Sequence, residues 1–186
     1  MMRVFRLLAG VVLLVALGRG WAQQTGFDLD GRAVDPLAAS SGKVIVLIFV
    51  RRDCPVSGRY APAIQRISKE YADRAVFWLV YPDKNDSPEA IRAHLVEFGY
   101  HLPALRDPAH ELVKLGHVQI TPEVAVFRNR QLTYDGRIDD WYVTLSRARP
   151  APTTHELEDA IRAVAEGKAV ARNEVRGVGC YISDLE

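Results

Sequence analysis

The stretch that most constrains this chain runs from Lys43 to Ile67, KVIVLIFVRRDCPVSGRYAPAIQRI. Val44 to Val50 is continuously apolar and rich in β-branched side chains, the pattern of a central strand buried on both faces. Arg51, Arg52 and Asp53 end that run, and Cys54-Pro55-Val56-Ser57 follows. From Ser57 the period becomes helical: Tyr60, Ile64, Ile67 and Tyr71 share one face, with Arg66, Lys69 and Glu70 between them. A buried strand therefore delivers a cysteine to a turn at the start of a helix, one of the few backbone settings that activates a thiol without a metal. Pro62 is expected to bend or delay this helix unless it lies close to the N-terminus.

The rest of the chain alternates in the same way. Phe27, Leu29 and Val34 around Asp30-Gly31 predict a small hairpin. Ala75 to Tyr81 reads as a second buried strand, and Ser87-Pro88 as the cap and first residue of a helix lined by Ile91, Leu95 and Phe98. Leu102 to Leu105 is a short strand that Pro103 confines to an edge or a strand start. Asp107-Pro108 opens a short helix that stops at Gly116. Val124 to Arg128 and Gln131 to Tyr134, joined by Asn129-Arg130, read as an antiparallel hairpin with its second strand outermost. Asp139 to Pro152 is read as a long loop. Thr153 and Glu156 match a capping box, followed by a final helix with Leu157, Ile161 and Val164 inward. Parallel strands from the alternating half and an antiparallel closing edge give one α/β domain of three layers, a central mixed sheet with helices on both faces.

Residues 1–22 stand apart. Arg3 and Arg6 precede an 11-residue apolar run, Leu7 to Leu17, too short to span a bilayer, and Gly20-Trp21-Ala22 supplies the small residues of a cleavage site. This segment is expected to be a signal peptide, which places residues 23–167 as the folded domain, 168–186 as a C-terminal tail, and the protein outside the cytoplasm. An uncleaved anchor is the competing reading. No stable membrane insertion is expected after cleavage. A formal net charge of +1 without a basic block gives no reason to expect nucleic acid as a partner. An oxidising compartment lets a disulfide persist, and the two cysteines, Cys54 and Cys180, lie 126 residues apart, which is neither a zinc-finger spacing nor a dense disulfide scaffold.

Cys54-Pro55-Val56-Ser57 after the apolar strand, Thr121-Pro122 before VAVF, and GRIDD after the hairpin together resemble the thioredoxin-like superfamily. Within it the exported redoxins, the group shared by alkyl hydroperoxide reductase and thiol-specific antioxidant proteins, are most similar, over roughly Phe27 to Gly167. The resemblance implies a thioredoxin-like three-layer fold. It implies a cis Pro122 lying against the Cys54 turn, and Thr121 backbone facing the sulfur and able to pair with an extended substrate peptide. Ser57 stands where dithiol oxidoreductases of this superfamily have a second cysteine. Arg51 and Leu47 stand where the peroxiredoxin signature has its threonine and proline.

Cys54 is then the candidate nucleophile. Ser57 can donate a hydrogen bond to its thiolate, Arg51 and Arg52 favour the thiolate if they fold back, and Asp53 opposes it. An inert buried cysteine is the alternative. Cys180, in a glycine-flanked tail (GVGCYI), is either a resolving thiol on a mobile segment or half of a permanent disulfide with Cys54, and pairing with another protein is a third possibility. Pro55, Thr121 and Pro122 are expected to shape a substrate groove. The expected activity is thiol–disulfide exchange or antioxidant chemistry. The alternatives are a peroxiredoxin-like hydroperoxide reductase, or a non-catalytic binding or copper-delivery module. Expected partners are a thiol or disulfide substrate protein, or peroxide, together with an external thiol reductant. With no glycine-rich phosphate loop, no organic cofactor is expected, and no metal either; a Cys54/Cys180/His117 copper site is the minority reading. Glu123 is read as a solvated strand-start residue in preference to a proton relay, Asp139-Asp140 as a turn, and His94 and His110 as surface or structural.

Overall fold

The structure, a computed structural model, describes residues 26–38, 42–171 and 176–183. The expected signal segment lies outside the described residues. The first hairpin forms as expected from β1 (Gly26–Phe27) and β2 (Ala33–Val34). The Asp28 carboxylate accepts from the backbone N–H groups of Asp30 and Arg32, and Gly31 takes the left-handed φ of 83° that the turn needs.

The central strand β3 (Val44–Phe49) is buried along its whole length, and each such Val, Leu or Ile contributes about 1.5–3 kcal/mol. Next come α1 (Pro55–Glu70), β4 (Ala75–Tyr81), α2 (Pro88–Glu97), β5 (Ala104–Arg106) and α3 (Glu111–Leu115). The chain continues with β6 (Ile120–Thr121), β7 (Glu123–Arg128), β8 (Gln131–Gly136), β9 (Tyr142–Thr144), β10 (Arg147–Ala148), α4 (Glu156–Ala165) and β11 (Cys180–Tyr181). Among the described residues the main sheet has seven strands in the order β2-β1-β5-β4-β3-β7-β8. β3 runs parallel to β4, and β4 to β5, whereas β3–β7 and β7–β8 are antiparallel. Side chains from alternate positions of β3 face opposite layers. Val44, Val46 and Ile48 pack with α1, α2 and α4. Ile45, Leu47 and Phe49 pack with Leu37, α3 and Ile182. This is the expected mixed sheet with helices on both faces.

Several local readings change. α1 starts at Pro55, with Cys54 as its N-cap, and runs straight through Pro62, which has no N–H to offer the Gly58 carbonyl. Pro103 does precede a strand start, and β5 sits inside the sheet between β4 and β1. Residues 139–152 contain the β9–β10 hairpin and are not a plain loop. The capping box is absent. His155 is the N-cap of α4 without a side-chain bond, and the Thr153 hydroxyl and N–H both go to the Asp140 carboxylate. Asn129 and Arg130 both have positive φ, 50° and 65°, which makes the β7–β8 connection a two-residue hairpin turn.

Candidate functional site

Cys54 reaches its position because β3 ends at Phe49 and Val50 remains bonded to the sheet, its N–H donating to the Val80 carbonyl. The short turn through Arg51–Asp53 then lifts the chain onto the N-terminus of α1, with Pro55 in the first helical turn. The Cys54 side chain is 2 % exposed. Its Sγ donates to the Thr121 carbonyl at 3.2 Å, and the Thr121–Pro122 peptide bond is cis. The expected meeting of the cysteine turn with the Thr-Pro segment is therefore observed.

What faces Thr121 on its other side is this chain's own tail. β11 pairs antiparallel with β6, Cys180 opposite Thr121 and Tyr181 opposite Ile120. The Ile182 N–H donates to the Gln119 carbonyl at 2.9 Å, the Thr121 hydroxyl donates to the Cys180 carbonyl at 3.3 Å, and Ile182 is buried in the lower core. The segment around Cys180 is thus a strap seated on β6, where the sequence leaves a mobile resolving arm and a permanent Cys54–Cys180 disulfide both open. The backbone edge expected to receive a substrate peptide is occupied by it. Both cysteines are free thiols.

The electrostatics separate the two sulfurs. Burial pushes the Cys54 thiol up, but hydrogen bonds from the Cys180 side chain and from the Ser57 side chain and N–H outweigh it, so the net shift is downward. Ser57 is fully buried and its Oγ accepts from the Arg51 N–H at 3.4 Å, leaving its proton for the sulfur. Cys180 is pushed up to about 11 by burial and by hydrogen bonding to Cys54 and its charge, while Arg51 pulls the other way. The arginines do not act on Cys54 as expected. Arg51 bonds Asp53 at 2.9 Å and the Tyr181 carbonyl at 3.1 Å, and Arg52 pairs with Asp86 at 2.6 Å.

Beside the Cys54 turn lies an open groove of about 300 Å³ lined by residues 52–55, Gly58, Arg59 and Phe98. Gly58 is required there, because a Cβ would sit 2.8 Å from the Phe98 ring.

Other sequence candidates resolve as structural. Glu123 is completely buried and accepts from backbone N–H groups, so it is not the solvated residue expected. Asp139 accepts from the Tyr60 hydroxyl at 2.5 Å, and Asp140 ties down Thr153, Thr154 and Arg149. His94 and His110 are buried, bonded to the Tyr81 hydroxyl and the Pro82 carbonyl. His117 is exposed with φ 53°. Among the described residues no three His, Cys, Asp or Glu side chains are grouped to hold a metal ion, and exposed His117 is not grouped with Cys54 and Cys180. No described helix is long and apolar enough to cross a membrane.

Sequence reasoning weighed Glu123 only as a proton relay or a solvated residue, and it missed the contacts of Gly177 and Gly179 with the Thr-Pro segment. The spacing of the two glycines before Cys180 was the available signal, since both lie flush on the Thr-Pro segment.

Searches of protein-family models and of curated proteins found no match. Solved structures do match. An uncharacterized conserved protein from Geobacillus kaustophilus superposes with a TM-score of 0.73 at 24% identity, over 85% of this chain and 86% of that one. An exposed lipoprotein thioredoxin from Streptococcus pneumoniae gives 0.55 at 22% identity, over 77% and 97%. A secreted disulfide oxidoreductase from Mycobacterium tuberculosis gives 0.52 at 17% identity, over 78% and 96%. The fold is thioredoxin-like.

Proposed function

We propose that this chain is an exported thiol–disulfide oxidoreductase in which Cys54 is the nucleophile and Cys180 the resolving thiol. The observation that carries this reading is the pairing of Cys180 with Thr121, whose carbonyl is 3.2 Å from the Cys54 sulfur. The opposite shifts of the two thiols support the division of labour: the lower-pKa sulfur attacks, and the higher-pKa sulfur holds its proton until needed. The pneumococcal and mycobacterial proteins with this fold, a thioredoxin and a disulfide oxidoreductase, favour the same chemistry. The notable exposure of Cys180's neighbour Tyr181, at 73 %, leaves an aromatic side chain beside the site for a redox partner.

The reaction balances as two exchanges. The Cys54 thiolate attacks a substrate disulfide, forming a mixed disulfide and releasing one substrate thiolate, which takes up a proton. Cys180 gives up its proton, and its thiolate attacks the Cys54 sulfur, forming the Cys54–Cys180 disulfide and releasing the second substrate thiol. The substrate gains two electrons, and an external dithiol returns the protein to its reduced form. Cys54 is buried under the strap, so the substrate sulfur enters along the groove bounded by Pro55, Gly58 and Phe98.

Mass spectrometry after mixing the reduced protein with glutathione disulfide tests this. The wild type is expected to lose two hydrogens per chain. Cys180→Ser is expected to accumulate a glutathione adduct on Cys54, and Cys54→Ser to remain unreacted on the same timescale. An unreactive Cys54, or a wild type that stops at the adduct, overturns the reading.

A further inference from the structure

Glu123 is the first residue of β7, directly after the cis Pro122, and its side chain is completely buried. A carboxylate is tolerated in such a position only when donors surround it. Here they come from two separate segments. Oε2 accepts from the N–H groups of Gln119 at 3.1 Å and Ile120 at 3.3 Å, which shape the approach to Thr121. Oε1 accepts from the Gly177 N–H at 2.8 Å, three residues before Cys180. The Arg176 guanidinium lies 3.7 Å from Oε2.

We propose that Glu123 is a positioning residue for the redox pair: its carboxylate ties the strap that carries Cys180 to the segment that carries Thr121, and so sets how readily Cys180 closes on Cys54. The proposal rests on the oxidoreductase reading above. Its hydrogen bonds go to backbone N–H groups of the two segments, so it acts through the strap. Anchors flank Cys180 on both sides, Glu123 at Gly177 and Arg51 at the Tyr181 carbonyl. The strap also fits without room to shift. A Cβ on Gly179 would lie 1.9 Å from the Thr121 carbonyl oxygen, and one on Gly177 3.1 Å from Glu123 Cγ. The β6–β11 ladder has only two residue pairs, and Ile182 and Arg51 hold the strap only beyond Cys180, so loss of the Glu123 anchor loosens the Gly177 end that leads into Cys180 in the reduced chain. An undocked Cys180 has a lower effective concentration at Cys54.

The test is the equilibrium constant of the Cys54–Cys180 disulfide against glutathione buffers, measured for the wild type, E123Q, G179A and the double variant. The amide of Gln would turn donors toward donors and free at least one end of the clamp. The constant for E123Q is expected to fall by about tenfold, the worth of one buried hydrogen bond to a charged acceptor, which makes the potential about 30 mV less negative. G179A lifts the strap from outside the core and is expected to act in the same direction. Both changes work through one strap, so the double variant is expected to fall short of the product of the two single effects. A residue that merely supports the core would add its effect in full or leave the potential unmoved. Should E123Q fail to fold, E123D replaces it, since the shorter side chain keeps the charge but cannot span both segments. A constant within twofold of wild type in the folded variant, or fully multiplicative effects, overturns the positioning role while leaving the oxidoreductase reading intact. A wild type that forms no internal disulfide overturns both.

Discussion

Oxidation of the Cys54–Cys180 pair is expected to raise the stability of the fold by about 5 kcal/mol. The two cysteines are 126 residues apart in the chain, and closing a loop of that length removes about that much conformational freedom from the unfolded state. The full value is realised only if the native structure need not distort. Here the strap is already seated on β6, with Cys180 opposite Thr121 and the Cys54 sulfur against the Thr121 carbonyl, so closure asks for little movement. In urea, with a slope of about 2 kcal/mol per molar, the oxidised midpoint should lie about 2 to 3 M above that of the reduced protein. Cys180→Ala should unfold at the reduced midpoint whatever the redox buffer. By linkage, the fold favours the disulfide by the same amount, about three to four powers of ten over the unfolded chain. A difference below about 1 kcal/mol would mean that the strap must break its pairing with β6 to close the bond, which would refute the argument from proximity.

Other outcomes follow from single contacts. Ser57→Ala removes a hydrogen bond that lowers the Cys54 pKa, so the alkylation of Cys54 at neutral pH should slow by up to about tenfold and its pH midpoint should move upward. Burial pushes Asp107 up to about 6 although its carboxylate caps α3 at the Val113 N–H. A folded pKa above the unfolded one means the native state binds more protons between about pH 4 and 6. This group should therefore make the protein more stable as pH falls through that window, by an amount on the order of 3 kcal/mol, and Asp107→Asn should flatten the profile. Gly58→Ala should bring none of the roughly 1 kcal/mol a helix gains from such a change, because the new methyl meets the Phe98 ring. In a Phe98→Ala background the gain should reappear in thermal unfolding.

The elements that were legible in the sequence are those whose signals are local. The apolar run of β3, the change of period at Cys54 and the Ser87-Pro88 start of α2 each depend on neighbours a few residues away, and each formed. The resemblance carried the cis Pro122 and the contact between the cysteine turn and Thr121. The misreadings have one physical cause. Thr153 and Glu156 have the spacing of a capping box, but Asp140, distant in sequence, claims the threonine. Glu123 looks like a solvated charge at a strand end until Gly177 arrives to cover it. A two-residue strand such as β11 has no periodicity to read. Its only local trace is the pair of glycines, and the reason for them is the Thr121 carbonyl on another segment.

Arg51 shows what one side chain of the cysteine turn contributes to the geometry around both sulfurs. It stands where the peroxiredoxin signature has a threonine or serine. The guanidinium instead reaches across the turn to the Tyr181 carbonyl, a span no threonine could cover, and ion pairs with Asp53 and Asp83 hold it there. Its charge also draws the Cys180 thiol downward against the effect of burial. One residue thus supplies both a tether for the strap and a charge near the second sulfur. Ser57, one turn into α1, is buried, accepts from the Arg51 N–H and lowers the Cys54 pKa, so the side chains that hydrogen-bond the Cys54 sulfur come both from α1 and from the strap.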